Sequence, residues 1–211
     1  MSRREHWEQV YGSKATDGVS WYRPHLERSL SFIRSLDLPR EARIVDIGGG
    51  ASTLVDDLLA DGFTNVAVVD LSEAALRASR ERLGKAEASV DWIVGDVTEP
   101  LLTEGSVDLW HDRAVLHFLT GDTDRAAYRA QLLRALMPGG HLSLATFAPD
   151  GPEKCSGLPV RRYDADAMET FLGPDFERIG DAREMHETPW GSTQRFAYGF
   201  FRRRGSLTSP S

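Results

Sequence analysis

The chain has 211 residues, 41% of them apolar and 27% charged, with a formal net charge of −7; this is the profile of a soluble globular domain with a full core, and its acidic balance argues against a nucleic-acid surface as the main partner. A single cysteine, Cys155, excludes an internal disulfide and gives no metal-ligating cluster. With no signal-peptide core after Met1 and no run of membrane-spanning length, the expected setting is cytoplasmic, with no membrane partner.

In chain order, residues 1–24 form a polar segment carrying large aromatics, His6-Trp7-Glu8-Gln9-Val10-Tyr11 and Val19-Ser20-Trp21-Tyr22. Two compatible readings apply, a helix packed on the domain by its aromatic face and a lid over a ligand. Aromatic faces attract cations, which gives the lid reading a chemistry. Pro24 opens a helix through Leu36, with Leu26, Leu30 and Ile33 on one face. The β-branched run Arg43 to Ile47 then meets Gly48-Gly49-Gly50 and an amphipathic segment from Thr53 to Ala60, the order of a buried strand, a tight turn and a helix start. Asn65 to Asp70 is a second buried strand, and Ser72 caps a helix from Glu73 to Leu83 with Gly84 beyond it. Val90 to Val94 is the third strand and runs into Gly95-Asp96-Val97.

Ser106 to Trp110 reads as the fourth strand, with His111-Asp112-Arg113 at its end and His117 one helical turn beyond Arg113. Asp122 caps a helix from Asp124 to Met137, whose stripe is Leu132, Leu133 and Leu136, and His141 to Phe147 is the fifth strand. Residues 148–162 form a Gly- and Pro-rich loop leaving the same sheet edge, a candidate recognition loop. Asp164 caps a short helix to Leu172. Two strand-like runs, Phe176 to Glu187 and Thr193 to Arg203, close the chain before a polar tail from Gly205 that is expected to be disordered.

The glycine turn has two discriminating spacings. A dinucleotide fingerprint G-x-G-x-x-G starting at Gly48 needs glycine at position 53, where Thr53 stands. Asp70 lies 22 positions after Gly48, where a strand-end carboxylate accepts both ribose hydroxyls of an adenosine. Asp46, Gly48 and Gly50 instead match the D-x-G-x-G-x-G signature of class I S-adenosylmethionine (SAM) methyltransferases, with Ser52 in place of the last glycine. With Asp70, Asp96, Pro138-Gly139-Gly140 and the closing strand pair, the chain over residues 25–204 resembles that superfamily. The resemblance implies an α/β fold, a seven-stranded Rossmann-like methyltransferase sheet of order 3-2-1-4-5-7-6 with strand 7 antiparallel and helices on both faces. Residues 1–24 are then an aromatic cap and 205–211 a tail.

The resemblance also implies site roles. Gly48, Gly49 and Gly50 let SAM lie against the turn, Asp46 supports the turn or the SAM amino group, Asp70 with Leu71 holds the ribose, and Asp96 with the Val97 N–H holds the adenine. Arg113, Tyr11 and Trp21 complete the cofactor site, whose product is S-adenosylhomocysteine. Asp112 and His117 are the candidate general bases, with His111 and His186 behind them. The N/D-P-P-Y/F motif of amino-methylating nucleic-acid enzymes is absent, as is the D-K-G-T-x-D of one group of lysine methyltransferases, which Trp110-His111-Asp112-Arg113-Ala114 replaces. The sequence reading therefore favours a small-molecule acceptor over a protein. Protein-lysine methylation and a non-catalytic SAM- or partner-binding domain are the alternatives.

Overall fold

The computed structural model describes residues 2–13, 20–188 and 190–205. In chain order the elements are α1 (Arg3–Ser13), α2 (Glu27–Ser35), β1 (Ile44–Ile47), α3 (Leu54–Ala60), β2 (Val66–Asp70), α4 (Glu73–Leu83), β3 (Val90–Val94), β4 (Val107–Arg113), α5 (Asp122–Ala135), β5 (Leu136–Phe147), β6 (Lys154–Cys155), β7 (Leu158–Pro159), α6 (Ala165–Leu172), β8 (Phe176–Glu187) and β9 (Thr193–Arg203). Seven strands form one sheet of order β3-β2-β1-β4-β5-β9-β8, and β6 pairs with β7 in a small separate ribbon. The first five sheet strands are parallel, and β9 runs antiparallel to both β5 and β8. Counting sheet strands alone, this is the expected order with its antiparallel penultimate position.

Fully buried strands send alternate side chains to opposite faces. Val45, Ile47, Ala67, Val69 and Trp110 pack on one side with Tyr128 and Leu132 of α5 and Met168 and Leu172 of α6. Ile44, Val66, Val68 and Leu109 pack on the other with Leu30 and Ile33 of α2, Leu54 and Leu58 of α3, and Leu76 of α4. Leu109 is wholly buried at the sheet centre, so truncating it to Ala costs about 2–5 kcal/mol.

Local signals set several helix ends. Ser72 accepts a hydrogen bond from the Ala75 N–H (3.2 Å) at the start of α4, and Asp164 does the same from Ala167 (2.8 Å) for α6. Three expectations need correction. The helix expected from Pro24 begins only at Glu27. Asp122 is not a cap: the N-cap of α5 is Gly121, and Asp122 sits in the first turn paired with Arg125. Strand β4 runs through Arg113, so His111, Asp112 and Arg113 are strand residues and His117 lies in a 3-10 turn, not one helical turn from Arg113. Val19 and residues 206–211 of the expected tail lie outside the described residues. Among the described residues no helix is long and apolar enough to cross a membrane.

Candidate active site

The parallel strands deliver three carboxylates to one sheet edge, Asp46 in β1, Asp70 ending β2 and Asp96 just past β3. The turn after β1 is held by the Gly48 N–H donating to the Val69 carbonyl (2.7 Å), with Gly48 in the left-handed region at φ +67°. The chain itself adds a reason for glycine at this turn. A Cβ on Gly48 would strike Val115, one on Gly49 the Asp46 carboxylate, and one on Gly50 the Asp70 carboxylate at 2.5 Å. The chain's own side chains occupy the space that the absent Cβ atoms leave.

Each carboxylate keeps part of its acceptor capacity. Asp70 accepts the Ser72 N–H at Oδ1 (2.8 Å), and burial pushes its pKa up to about 7 despite that bond. Asp96 accepts the Thr98 N–H (2.9 Å) and hydroxyl (2.7 Å) at Oδ1, while Oδ2 takes Arg3 of α1 at 3.0 Å. Asp46 Oδ1 meets His111 Nδ1 at 2.6 Å, and His111 Nε2 meets the Ser29 hydroxyl at 2.8 Å. Asp46 Oδ2 is buried with no hydrogen-bond partner among the described residues.

Asp70 and Asp96 border a cleft. Ile47, Gly48, Asp70, Leu71, Asp96 and Val97 line one end, and Trp7, Tyr11, Trp21, Phe118 and Phe147 line the other. An adjoining cavity shares Tyr11, Trp21, Gly48 and Arg113 and adds Asp46, Gly49, His111 and Arg23. The two cavities fit SAM. The larger offers carboxylates and the Val97 segment to a nucleoside. The smaller sets an unpartnered carboxylate oxygen and two arginines around a space for an amino-acid zwitterion.

The aromatic cap forms a collar. Trp7 meets Phe118 edge-on at 5.0 Å between centroids and Trp21 at 5.8 Å, and Tyr11 meets Trp21 at 6.1 Å. Helix α1 is tied down by Arg3 on Asp96 and by Glu8, which accepts the Glu73 N–H at the start of α4 (2.6 Å). The segment behind the collar is clasped from β8. His186 Nδ1 accepts from Arg23 (3.0 Å) and its Nε2–H donates to the Ser20 carbonyl (2.6 Å). Arg113 donates to the Trp21 carbonyl and the Tyr198 hydroxyl, both at 3.2 Å, with Glu184 at 3.6 Å.

The candidate bases separate here. Asp112 shares the Trp110 face of β4 and turns into the core: it accepts the Tyr128 hydroxyl (2.7 Å) and the N–H groups of Val115 (2.7 Å) and Leu116 (3.1 Å). It does not line either cavity. Its carboxylate holds the turn in which Ala114 adopts φ +77°. That turn carries Val115 onto Gly48 and presents His117 and Phe118 to the cleft. Asp112 is therefore a positioning group, not a base facing an acceptor. His117 is fully buried at the acceptor end, and burial, then the Arg113 charge, lowers its pKa to about 3. The Phe147 N–H approaches its Nδ1 at 3.5 Å, which assigns the ring proton to Nε2. His117 thus faces the cleft as a neutral donor. His111 and His186 serve Asp46 and the 20–23 segment respectively.

Arg3, Arg23, Glu184 and Ser29 are site residues that no local motif marks, because each partner is remote in sequence. A protein-family model described as a methyltransferase domain matches residues 44–140. Over 150 residues the chain is 24% identical to the eEF1A lysine and N-terminal methyltransferase of Xenopus laevis, covering 68% of this chain and 21% of that protein. It thus spans about a fifth of the length of that relative. A SAM-dependent methyltransferase from Anabaena variabilis superposes with a TM-score of 0.75 at 15% identity, over 97% of this chain and 96% of that one. The 1,6-didemethyltoxoflavin-N1-methyltransferase of Burkholderia thailandensis, solved with S-adenosylhomocysteine bound, gives 0.67 at 22% identity, over 95% and 84%.

The expected preference for a small-molecule acceptor over a protein is overturned by the curated relatives, which are named as eEF1A lysine methyltransferases. Sheet order, strand-end acids and domain match converge: residues 44–140, a little under half of the chain, match a methyltransferase domain, and the chain has the Rossmann-like fold of solved SAM-dependent methyltransferases.

Proposed function

We propose that this chain transfers the methyl group of SAM to an amine of a protein. The observation that carries the reading is the collar of Trp7, Tyr11, Trp21 and Phe118 at the acceptor end. Four π faces attract an approaching ammonium group and its aliphatic stem. The names of the curated relatives support a protein as the bearer of that amine.

The sulfonium of SAM supplies an activated leaving group, so the protein's task is to bind, align and exclude water. Asp70 holds the ribose hydroxyls, Asp96 and the Val97 N–H take the adenine edge, and Leu71 packs beside them. Asp46 Oδ2 accepts the ammonium of the methionyl end, with Arg23 and Arg113 beside its carboxylate. Gly48 and Gly49 keep the turn low enough for this approach. The collar, closed by Arg3 on Asp96, keeps water from the reacting centre. Alignment of this kind supplies on the order of 7–11 kcal/mol of barrier lowering.

The test is methyl-tritiated SAM with the purified chain, offered eEF1A, lysine-containing peptides and the small-molecule fraction of a cell extract. Label on protein or peptide supports the reading. Label confined to the small-molecule fraction sinks it. Label in neither, with SAM bound, points to a non-catalytic SAM-binding domain.

A further inference from the structure

We propose that the edge strand β8 is a self-recognition surface, on which a second copy of this chain pairs antiparallel across a two-fold axis at Ala182. The inference is independent of the acceptor. Its first support is the place of β8 in the sheet. The strand is 12 residues long and ends the sheet order, and β9 is the one strand paired with it among the described residues. A long uncovered edge offers its backbone N–H and C=O groups as a template for another strand. Every second side chain from Ile179 to Glu187 is exposed.

The second support is the order of those side chains. Asp181, Arg183 and Met185 stand opposite Gly199, Ala197 and Arg195 of β9 and so share one face of the sheet. In the register that sets Ala182 against its own copy, Asp181 faces Arg183 and Ile179 faces Met185. Two-fold symmetry makes each of these pairs twice. Opposite charges therefore meet at the centre, with an apolar pair on either side. Ile179 is 45% exposed, and Met185, at 71%, is the most exposed large apolar side chain among the described residues. The neighbouring registers, centred on Asp181 or on Arg183, set like charges directly against each other, which is destabilising. The order of side chains thus selects one register and one partner.

The pairing is confined to residues 179–185. Beyond them Glu177 faces Glu187 of the second copy, and the strand is bulged between Arg178 and Gly180. Arg23 already donates to the Met185 carbonyl (3.4 Å), which weakens the ends of the run relative to its centre. Arg183 lies 3.3 Å from Asp150 of its own chain, but both side chains are more than half exposed, and such a pair is weak enough to be shared. Glu184 and His186, which hold the 20–23 segment, oppose Phe196 and Gln194 and leave β8 on the other face. The dimer therefore leaves that clasp as it stands.

The experiment is sedimentation velocity on the purified chain from nanomolar to high micromolar concentration, with amide hydrogen exchange followed at both extremes. The expected result is a reversible monomer–dimer equilibrium in which the amides of residues 179–185 gain protection in the dimer. Asp181→Arg and Arg183→Asp should each weaken association about tenfold or more, since each turns two attractive pairs into two repulsive ones. An equimolar mixture of these two variants should form a mixed dimer, because its facing residues are again opposite in charge. Two misfolded chains cannot recover a dimer on mixing, so the mixture separates lost pairing from lost folding. A natural chain that stays monomeric throughout overturns the inference and leaves the edge to an extended segment of another protein. A dimer without protection in β8, one that both single variants leave unchanged, or a mixture that does not associate overturns it as well.

Discussion

At the cofactor end of the cleft the three carboxylates lie at or near strand ends: Asp46, Asp70 and Asp96 come from β1, β2 and the exit of β3, and Asp70 and Asp96 each accept an N–H from two residues on, Ser72 and Thr98. At the acceptor end the groups come from α1, the 20–23 segment, the turn after β4 and β8, and their contacts span long stretches of chain, Arg23 to His186 being 163 positions. The first end is built by local backbone geometry repeated along a parallel sheet. The second is assembled by side chains that meet only after folding. Cofactor binding should therefore tolerate loss of the cap, whereas acceptor recognition depends on the clasp that seats it.

The strongest way to break this contrast is at Arg113, whose guanidinium joins Trp21, Tyr198 and Glu184 and stacks over Phe196 at 4.4 Å. Arg113→Met removes one of the two arginines beside the buried Glu184, which keeps Arg23 at 3.4 Å and the Tyr198 hydroxyl at 3.1 Å, for an expected cost of about 3 kcal/mol in urea unfolding. Faster proteolysis within residues 1–24 should accompany it; an unchanged digestion pattern would detach Arg113 from the clasp.

Next comes the cofactor end. Asp70→Ala removes hydrogen bonds to a charged acceptor and should weaken SAM by roughly 1.5–3 kcal/mol in titration calorimetry. An unaltered Kd refutes the ribose assignment.

Asp112→Asn separates positioning from chemistry. The amide cannot accept all three of the hydrogen bonds from Tyr128, Val115 and Leu116 equally well, so thermal unfolding should show a loss of about 1–3 kcal/mol. Turnover of the folded fraction should stay within a fewfold. A collapse of kcat with stability intact would restore Asp112 as a base.

A pH dependence sharpens the comparison further. Burial raises the Asp70 pKa to about 7, and hydroxyl donors favour its ionised form. Below that pKa the protonated carboxyl loses acceptor capacity, so SAM affinity should fall up to about tenfold from pH 8 to 6, with proton release on binding near neutrality. Calorimetry in two buffers of different ionisation enthalpy measures both, and Asp70→Asn should flatten the curve. The smallest effect is expected at Arg3→Ala, which breaks a partly exposed pair with Asp96 and should change SAM affinity by less than about 1 kcal/mol.

Much of the cofactor end was legible in advance because strand ends, glycine turns and helix caps are written in contiguous residues. Asp46, Gly48, Gly49, Asp70, Leu71, Asp96 and Val97 border the two cavities, Tyr11, Trp21 and Arg113 border both, and Gly50 borders neither. The packing of the chain's own side chains over the glycines was not legible, because Val115 reaches Gly48 across 67 positions of chain. The spacing that set Arg113 and His117 one helical turn apart failed because β4 extends three residues beyond its expected end. The end of β4 brought Arg113 to the cleft, and the Ala114 turn, not a helix, brought His117.

By itself, the sequence determined the alternation of strands and helices, the acids at the strand ends and the closing antiparallel pair, since each depends on neighbours along the chain. Only the tertiary structure decided which way Asp112 faces, which nitrogen of His117 carries the proton and what closes the cap. Those outcomes depend on groups that approach through space, the Tyr128 hydroxyl, the Phe147 N–H and the pair of Arg113 with Glu184, and burial then sets how strongly each one acts.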